Sequence, residues 1–307
     1  MDPLIAAVVF AFGLAFGSFL NVCIYRLPRE QSVVSPGSAC PGCGHEIRWY
    51  DNVPVLSWVV LRGRCRDCGQ RITPRYLLVE LLVAILFLAC YAHFGLTLAA
   101  LKFAVFCFLI IGLIFTDAET KLLPDALTLP GIVLGLLFSF FVPVHDVVGK
   151  YLPEFVSNAA VENSWRLLSL GDAALGAMIG AAFIYGSGMM YKLARGVEGM
   201  GFGDVKLMAM VGAFLGLKLT LFTIFGASIV GAFFGLSSIP AVWVKRTRRR
   251  MVRHGEPGPV ARRRAWDSAK KVYRYYAMPF GVFLGSVALV AAFFGNAMFA
   301  WYLRRVF

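Results

Sequence analysis

The sequence predicts an all-α polytopic membrane protein with about eight transmembrane helices and one small cytosolic domain. Of the 307 residues, 59% are hydrophobic and only 15% are charged, and the mean hydropathy is +0.72. These values lie outside the composition of soluble globular domains. The apolar residues also fall in repeated runs of about 20, a length that crosses the hydrocarbon core of a bilayer as a helix. A soluble two-domain enzyme, a disordered tail and a disulfide-stapled secreted module are therefore excluded.

The apolar runs give the predicted spans. In chain order they are Leu4–Tyr25, Leu77–Phe94, Leu98–Thr116, Leu127–Val144, Ala173–Leu193, Val205–Leu217, Leu219–Val244 and Phe280–Leu303. The sixth is the weakest, because it is short and only a turn at Lys218 separates it from the seventh. Seven spans plus a re-entrant segment is the alternative.

Positive charge predicts the orientation. With the N-terminus outside, 24 of the 30 Lys and Arg residues fall in segments on the inner side, as the positive-inside rule requires. The first apolar run has no basic residue before it and Arg26 after it, which is typical of a retained anchor and not of a cleaved signal peptide. We expect a multi-pass membrane protein with its N-terminus outside.

Two segments are predicted to lie outside the membrane. Residues 26–76 follow the first helix (1–25) and form a cysteine-rich cytosolic domain, and residues 77–307 form the main transmembrane domain. Within the latter, residues 245–276 form a basic cytosolic loop. The ordinary role of such a loop is to fix topology and bind anionic lipid. No nucleic-acid recognition motif accompanies the charge, so we expect no nucleic-acid partner.

Four cysteines are paired in the cytosolic domain, as Cys40-Pro41-Gly42-Cys43 and Cys65-Arg66-Asp67-Cys68. Two CxxC pairs at this separation can place four thiolates around one zinc ion, and reduced cytosolic thiols favour a metal over a disulfide. A closed four-cysteine site would hold the fold of the domain and do no chemistry. A dithiol redox pair and a site without metal are the alternatives.

Acidic residues beside apolar spans are the candidates for chemistry, because a carboxylate there is costly and usually faces a cavity or a partner. Asp172 at an outer helix end needs only a capping role, and Glu80 stays undecided between capping, pairing and lining a site. Asp117 ends the third span on the inner side. Asp204 opens the sixth span from the same side, so both carboxylates lie at one depth.

Alternate glycines precede Asp204, at Gly199, Gly201 and Gly203. We expect them to allow close approach of another chain or a substrate, and to permit backbone angles closed to other residues. They are not a nucleotide-binding loop, because the spacing and the strand context are missing.

Two aspartates in a partly dry site cannot both ionise easily, so one keeps a proton. The ionised carboxylate can then take a proton from water while the protonated one polarises a scissile carbonyl. The residues alone leave an ion-coupled transporter as an equal alternative, since it would also explain buried acids.

The ordered motifs break this tie. In chain order these motifs are Gly17 to Val22 with Arg26-Leu27-Pro28, the two CxxC pairs, Tyr76 to Glu80, Asp117 through Asp125, Gly199 to Leu207 and Pro279-Phe280-Gly281. Together they resemble the type IV prepilin peptidases, which are GxGD-type intramembrane aspartic proteases. The resemblance implies that Asp117 and Asp204 are the catalytic pair, and that Asp125, Gly201 and Gly203 support them.

The resemblance also implies the substrates and a second activity. Members cut the cytosolic leader from type IV prepilins and type II secretion pseudopilins just after a glycine. Many that keep the cysteine domain then methylate the new N-terminus with S-adenosylmethionine, for which the sequence indicates no binding residues. A relative with the same fold and a different protein substrate is the nearest alternative. The outer loop Pro143–Gly171 and the long basic loop fall outside the matched motifs, so they bear on partners more than on chemistry.

Overall fold

The computed structural model describes residues 2–143, 165–196, 200–275 and 279–306, and within these it is built from α-helices. We number them α1 to α9. Their bounds are α1 Pro3–Arg26, α2 Leu56–Val60, α3 Arg75–Phe94, α4 Leu98–Thr120, α5 Asp125–Phe141, α6 Trp165–Arg195, α7 Phe202–His254, α8 Gly258–Tyr275 and α9 Phe280–Val306. Two short 3₁₀ helices, Leu27–Arg29 and Trp49–Asn52, lie in the cysteine-rich segment.

Six helices of the described ranges are long and apolar enough to cross a membrane: α1, α3, α4, α6, α7 and α9. This confirms a multi-pass α-helical membrane protein. Helix α5 is apolar but has only 17 residues. The predicted number of eight spans depends on α5 and on how α7 is divided, and it stays a prediction.

Helix α7 is broken at Gly216, whose φ of 79° and ψ of 177° are not helical. A Cβ placed on Gly180 of α6 would lie 2.8 Å from Thr220 and 2.9 Å from Met208. Twelve residues of straight helix would separate those two by about 18 Å. The segments before and after Gly216 therefore lie side by side, as the prediction of two separate runs around Lys218 requires.

Helices α1 and α3 pack through glycine. A Cβ on Gly13 would stand 2.5 Å from Ala84 Cα, and one on Gly17 would stand 2.6 Å from Glu80 Cα. Small residues four apart let two membrane helices approach this closely. The contact brings the C-terminal half of α1 against the start of α3, and the cysteine-rich segment connects these two helices.

The main core is shared by α4, α5, α6, α7 and α9. Its fully buried members include Phe106, Leu113, Ile184, Met210 and Leu284. A second cluster joins α1, α3 and α4, with Leu20, Val79 and Ile111 as members. Helix α4 therefore lies between the two clusters, and its C-terminal turn carries Asp117.

The basic segment, which we predicted as a loop, is helical. The second part of α7 runs on to His254, and α8 folds back against it with Ala261 and Ala265 fully buried. Trp243 donates a hydrogen bond to the Arg262 carbonyl and its ring meets Trp266 edge to face. The apolar residues spaced along one side of α8 explain the helix, because they have a helix to pack on.

Candidate active site

Asp117 lies in the last turn of α4 and only 5% of it is exposed. Its Oδ2 accepts a hydrogen bond from the Val282 N–H at 2.9 Å, and the Gly281 N–H also interacts with the carboxyl group. Both donors belong to the first turn of α9, where backbone N–H groups have no partner inside their own helix. The start of α9 thus binds the carboxylate in the last turn of α4.

Gly281 fits this site because it has no side chain. A Cβ there would stand 2.9 Å from Asp117 Oδ2 and 3.3 Å from the Leu123 side chain. Pro279 precedes the helix, and glycine then lets the helix start come within hydrogen-bonding distance of the carboxylate. Our choice of site residues missed Gly281 and Val282. The Pro279-Phe280-Gly281 motif is the signal that could have indicated them. A backbone N–H donor cannot be recognised from the type of side chain, because every residue except proline has one.

Asp204 lies in the first turn of α7 and is 8% exposed. Its own N–H donates to the Gly201 carbonyl at 3.1 Å, which fixes the turn that presents the side chain. The Asp117 carboxyl is close enough to interact electrostatically with it. The structure therefore brings the two predicted aspartates together in one buried site, and their catalytic role stays a prediction.

The glycines before Asp204 act differently from one another. A Cβ on Gly203 would stand 2.9 Å from Leu123 Cβ, so close approach is required there. Gly201 has an ordinary φ of −76°, and a Cβ on it would meet only the Gly203 nitrogen at 3.9 Å. The expectation of unusual backbone angles is therefore wrong for Gly201, and Gly199 lies outside the described residues.

Asp125 opens α5 and is half-exposed. Lys206, two residues after Asp204 in α7, donates to Asp125 Oδ1 at 2.6 Å. The pair ties the starts of α5 and α7 together beside the site. Its geometry is that of a positioning contact, because the Asp125 carboxylate is directed to the lysine.

The four paired cysteines form one cluster. Their sulfurs all lie within 4.8 Å of one another, and the sulfurs of Cys40 and Cys68 are 3.8 Å apart. Ligands at the Zn–S distance of 2.3 Å in a tetrahedron are separated by about 3.8 Å. Backbone N–H groups of Cys43 and Gly42 lower the pKa of the Cys40 thiol to about 7. The donor set and its spacing fit a structural zinc ion.

Each CxxC pair sits on the same small turn. Cys40 N–H donates to the His45 carbonyl and Cys65 N–H to the Gln70 carbonyl. Gly44 and Gly69, one residue after each pair, have φ of 73° and 71°, a conformation that glycine adopts without strain. The two turns bring their four sulfurs within 4.8 Å of one another, as a mononuclear site requires.

Glu80, left undecided by the sequence, links the cysteine-rich domain to the membrane helices. It is 8% exposed, and its Oε2 accepts from the Val55 N–H at 2.8 Å while the Ser18 hydroxyl bonds the same carboxylate. Asn21, 3% exposed, donates to the Tyr76 carbonyl at 3.0 Å. Asp172 is fully buried and lies inside α6, which begins at Trp165, so the capping position expected for it is wrong.

Two family models match successive parts of the chain. A model described as the bacterial peptidase A24 N-terminal domain matches residues 11–94, and one described as the type IV leader peptidase family matches residues 103–236. Asp117 and Asp204 fall in the second match, and the four cysteines, Asn21 and Glu80 fall in the first. No solved structure matches the chain.

Curated relatives carry one name, prepilin leader peptidase/N-methyltransferase. A protein of Aeromonas salmonicida is 32% identical over 98% of this chain and 94% of its own length. One of Pseudomonas putida is 33% identical over 94% of this chain and 90% of its length. One of Myxococcus xanthus is 38% identical over 76% of this chain, which spans 63% of that protein.

Proposed function

The chain belongs to the prepilin leader peptidase/N-methyltransferase family, and from this membership and the buried aspartates we propose that it removes the leader peptide of type IV prepilins or type II secretion pseudopilins and methylates the new N-terminus. The observation that carries the proposal is the pair formed by Asp117 and Asp204, two buried carboxyls that interact at the inner ends of α4 and α7. Two carboxyls in one dry site are the groups that aspartic proteases use.

The two aspartates have different surroundings, and we assign their roles from these. The Val282 and Gly281 N–H groups stabilise negative charge on Asp117. Asp117 is therefore the carboxylate that takes a proton from the attacking water. Asp204 carries the proton and donates a hydrogen bond to the scissile carbonyl oxygen, where charge develops.

The side of the membrane on which the two aspartates are expected to lie agrees with the location of the leader peptide in the proposed substrate. Asp117 and Asp204 lie at helix ends on the side that the Lys and Arg bias assigns to the cytosol, and by resemblance the leader is cytosolic while the hydrophobic helix of the pilin stays in the bilayer. We place the protein in the inner membrane with its N-terminus outside. We also propose eight spans, with α5 as a short span and with a hairpin at Gly216 that divides α7 into two.

The cysteine-rich domain is proposed to hold zinc and to serve the second activity. Zinc would join the two CxxC turns and keep residues 26–76 folded. When bound, S-adenosylmethionine supplies the methyl group. The domain reaches the membrane part through Val55 and Glu80, so its fold and the inner ends of α1 and α3 depend on each other.

The basic segment is proposed to bind anionic lipid. Arg248, Arg249, Arg262 and Arg263 are exposed on the hairpin of α7 and α8, where basic side chains attract anionic headgroups. Replacing these arginines by glutamine should weaken association with vesicles that contain phosphatidylglycerol. Unchanged association and unchanged processing would remove this part of the proposal.

The test of the main function is incubation of the reconstituted protein with a prepilin, followed by mass spectrometry of the product. Loss of the leader that requires both Asp117 and Asp204 supports the peptidase. A further gain of about 14 Da that appears only with S-adenosylmethionine supports the methyltransferase. A leader that stays on several prepilins, with well-folded protein, contradicts the assignment and makes ion-flux assays the next experiment.

A further inference from the structure

A pair of buried hydrogen-bond acceptors lies beside the aspartate site, where α1 meets α3. One is the Glu80 carboxylate and the other is Asn21 Oδ1, which has no hydrogen-bond partner in the described part of the chain. Both residues are more than nine-tenths buried. A buried amide oxygen without a donor costs free energy, so a partner from outside the chain would stabilise it.

Asn21 and Glu80 lie on the facing sides of α1 and α3, about one turn apart. Helices α1 and α3 run antiparallel, with Gly17 against Glu80 and Asn21 against Tyr76 one turn further in. Each side chain tilts toward the N-terminus of its own helix. Asn21 therefore leans outward to the depth of Glu80, and Glu80 leans inward to the depth of Asn21.

The chemistry of this pair selects a cation with N–H groups. A carboxylate and an amide oxygen are both acceptors, and the Asn21 amide nitrogen directs one of its two N–H groups to the Tyr76 carbonyl. When Glu80 is ionised, its carboxylate gives the site one negative charge. A primary ammonium satisfies both acceptors and balances that charge.

The acceptor pair formed by Glu80 and Asn21 lies near the two aspartates. Arg75, next to Tyr76, donates to Glu119 at 2.7 Å, and Glu119 is two residues beyond Asp117. The acceptor pair is thus at the inner side, one helix away from the aspartates. It also lies within residues 11–94, the part that matches the N-terminal domain model and not the leader peptidase model.

We propose that Glu80 and Asn21 bind the α-ammonium group of the mature pilin after the leader has been removed. The inference rests on the proposed function, because cleavage creates this ammonium at the inner side while the hydrophobic pilin helix remains in the bilayer. Holding it beneath the cysteine-rich domain presents the nitrogen that is to be methylated. Val55, whose N–H bonds Glu80, makes the domain part of the same site.

The experiment measures binding of two peptides to the full-length protein in nanodiscs. Both have the first residues of a mature pilin, one with a free α-amine and the other N-acetylated. At pH 7 we expect the free amine to bind about tenfold more tightly. The preference should vanish above about pH 9, because an α-amino group loses its proton near pH 8. Equal binding of the two peptides at pH 7 overturns the proposal without any variant having to fold.

Variants then locate the site. Glu80→Gln should reduce the preference to less than about twofold, and Asn21→Leu should reduce it in the same direction. The matched control is Glu119→Gln, which removes a carboxylate at the same inner side and should keep the tenfold preference. Retention of the preference in Glu80→Gln, or its loss in Asp117→Asn alone, would place the ammonium elsewhere and reject the pair. A preference found with a protein that cleaves no prepilin would reject the peptidase assignment and leave the ammonium site standing.

Discussion

Gly281 lies in direct contact with the carboxyl group of Asp117, so close that a methyl group on Gly281 would stand 2.9 Å from Oδ2. The Val282 N–H donates to this carboxyl, and the Gly281 N–H also interacts with it. The Asp117 carboxyl can therefore occupy this position because residue 281 has no side chain.

Gly281→Ala should therefore displace the Asp117 carboxyl and reduce prepilin cleavage about 10- to 100-fold, since misplacement by about 1 Å can cost that much. The measurement is the rate of leader removal in reconstituted membranes. Gly186→Ala is the control, because no atom lies within 4 Å of a Cβ built there. Equal rates for the two variants would show that the contact does not matter.

Replacing either aspartate of the pair should remove proteolysis. Asp117→Asn and Asp204→Asn each delete a proton-transfer group, and we expect the cleavage rate to fall by about 10³-fold or more with membrane insertion unchanged. Asp267→Asn, an exposed aspartate on α8, should cleave at the parent rate. A variant that inserts normally and still cleaves would refute the assignment of that aspartate.

The sequence could predict this pair because a carboxylate beside a hydrophobic run is conspicuous, and because the ends of Leu98–Thr116 and Val205–Leu217 must lie on the same side. It could not predict the donors to Asp117. Val282 contributes a backbone N–H, which every residue but proline has, and the contact joins positions 165 residues apart. The helical form of residues 245–275 was missed for a related reason: α8 is stabilised by packing on α7, and its polar composition alone predicts a loop.

Zinc content provides a direct test of the cysteine cluster. Cys40→Ser or Cys68→Ser removes one of four converging sulfurs, so bound zinc should fall from about one ion per chain to near zero. Methylation should fall more than proteolysis. Elemental analysis of purified protein measures the metal, with Cys107→Ala, a buried cysteine of α4, as the control that keeps it. Equal metal in all three proteins would exclude a zinc site.

The glycine contact between α1 and α3 should tolerate no side chain. In Gly17→Val the new atoms meet the backbone of Glu80, and we expect a loss of stability of about 1–3 kcal/mol or more. Ala15→Val places the same side chain on an exposed face of α1 and should change little. Thermal denaturation of the two proteins in detergent makes the comparison. Similar midpoints would show that the helices can separate at low cost.

Labelling from one side of the membrane tests the eight-span arrangement. In a variant without other reactive thiols, Lys218→Cys should react with an impermeant reagent added outside, since it follows the break at Gly216. Arg249→Cys should react only after the membrane is opened. Protection of both positions from outside would contradict a hairpin in α7 that reaches the outer face.

The hydrogen bond between Val282 and Asp117 also sets an order of events during synthesis. Membrane helices enter the bilayer as the chain is made, with the N-terminal ones first, so both aspartates are in place before the final helix arrives. Until α9 inserts, the Asp117 carboxyl has no donors from that helix. The proposed protease would thus become active only when its own assembly is complete. An unfinished chain beside newly made pilins would contain Asp117 and Asp204 but would lack the N–H donors that stabilise the Asp117 carboxylate, so it would not cleave them.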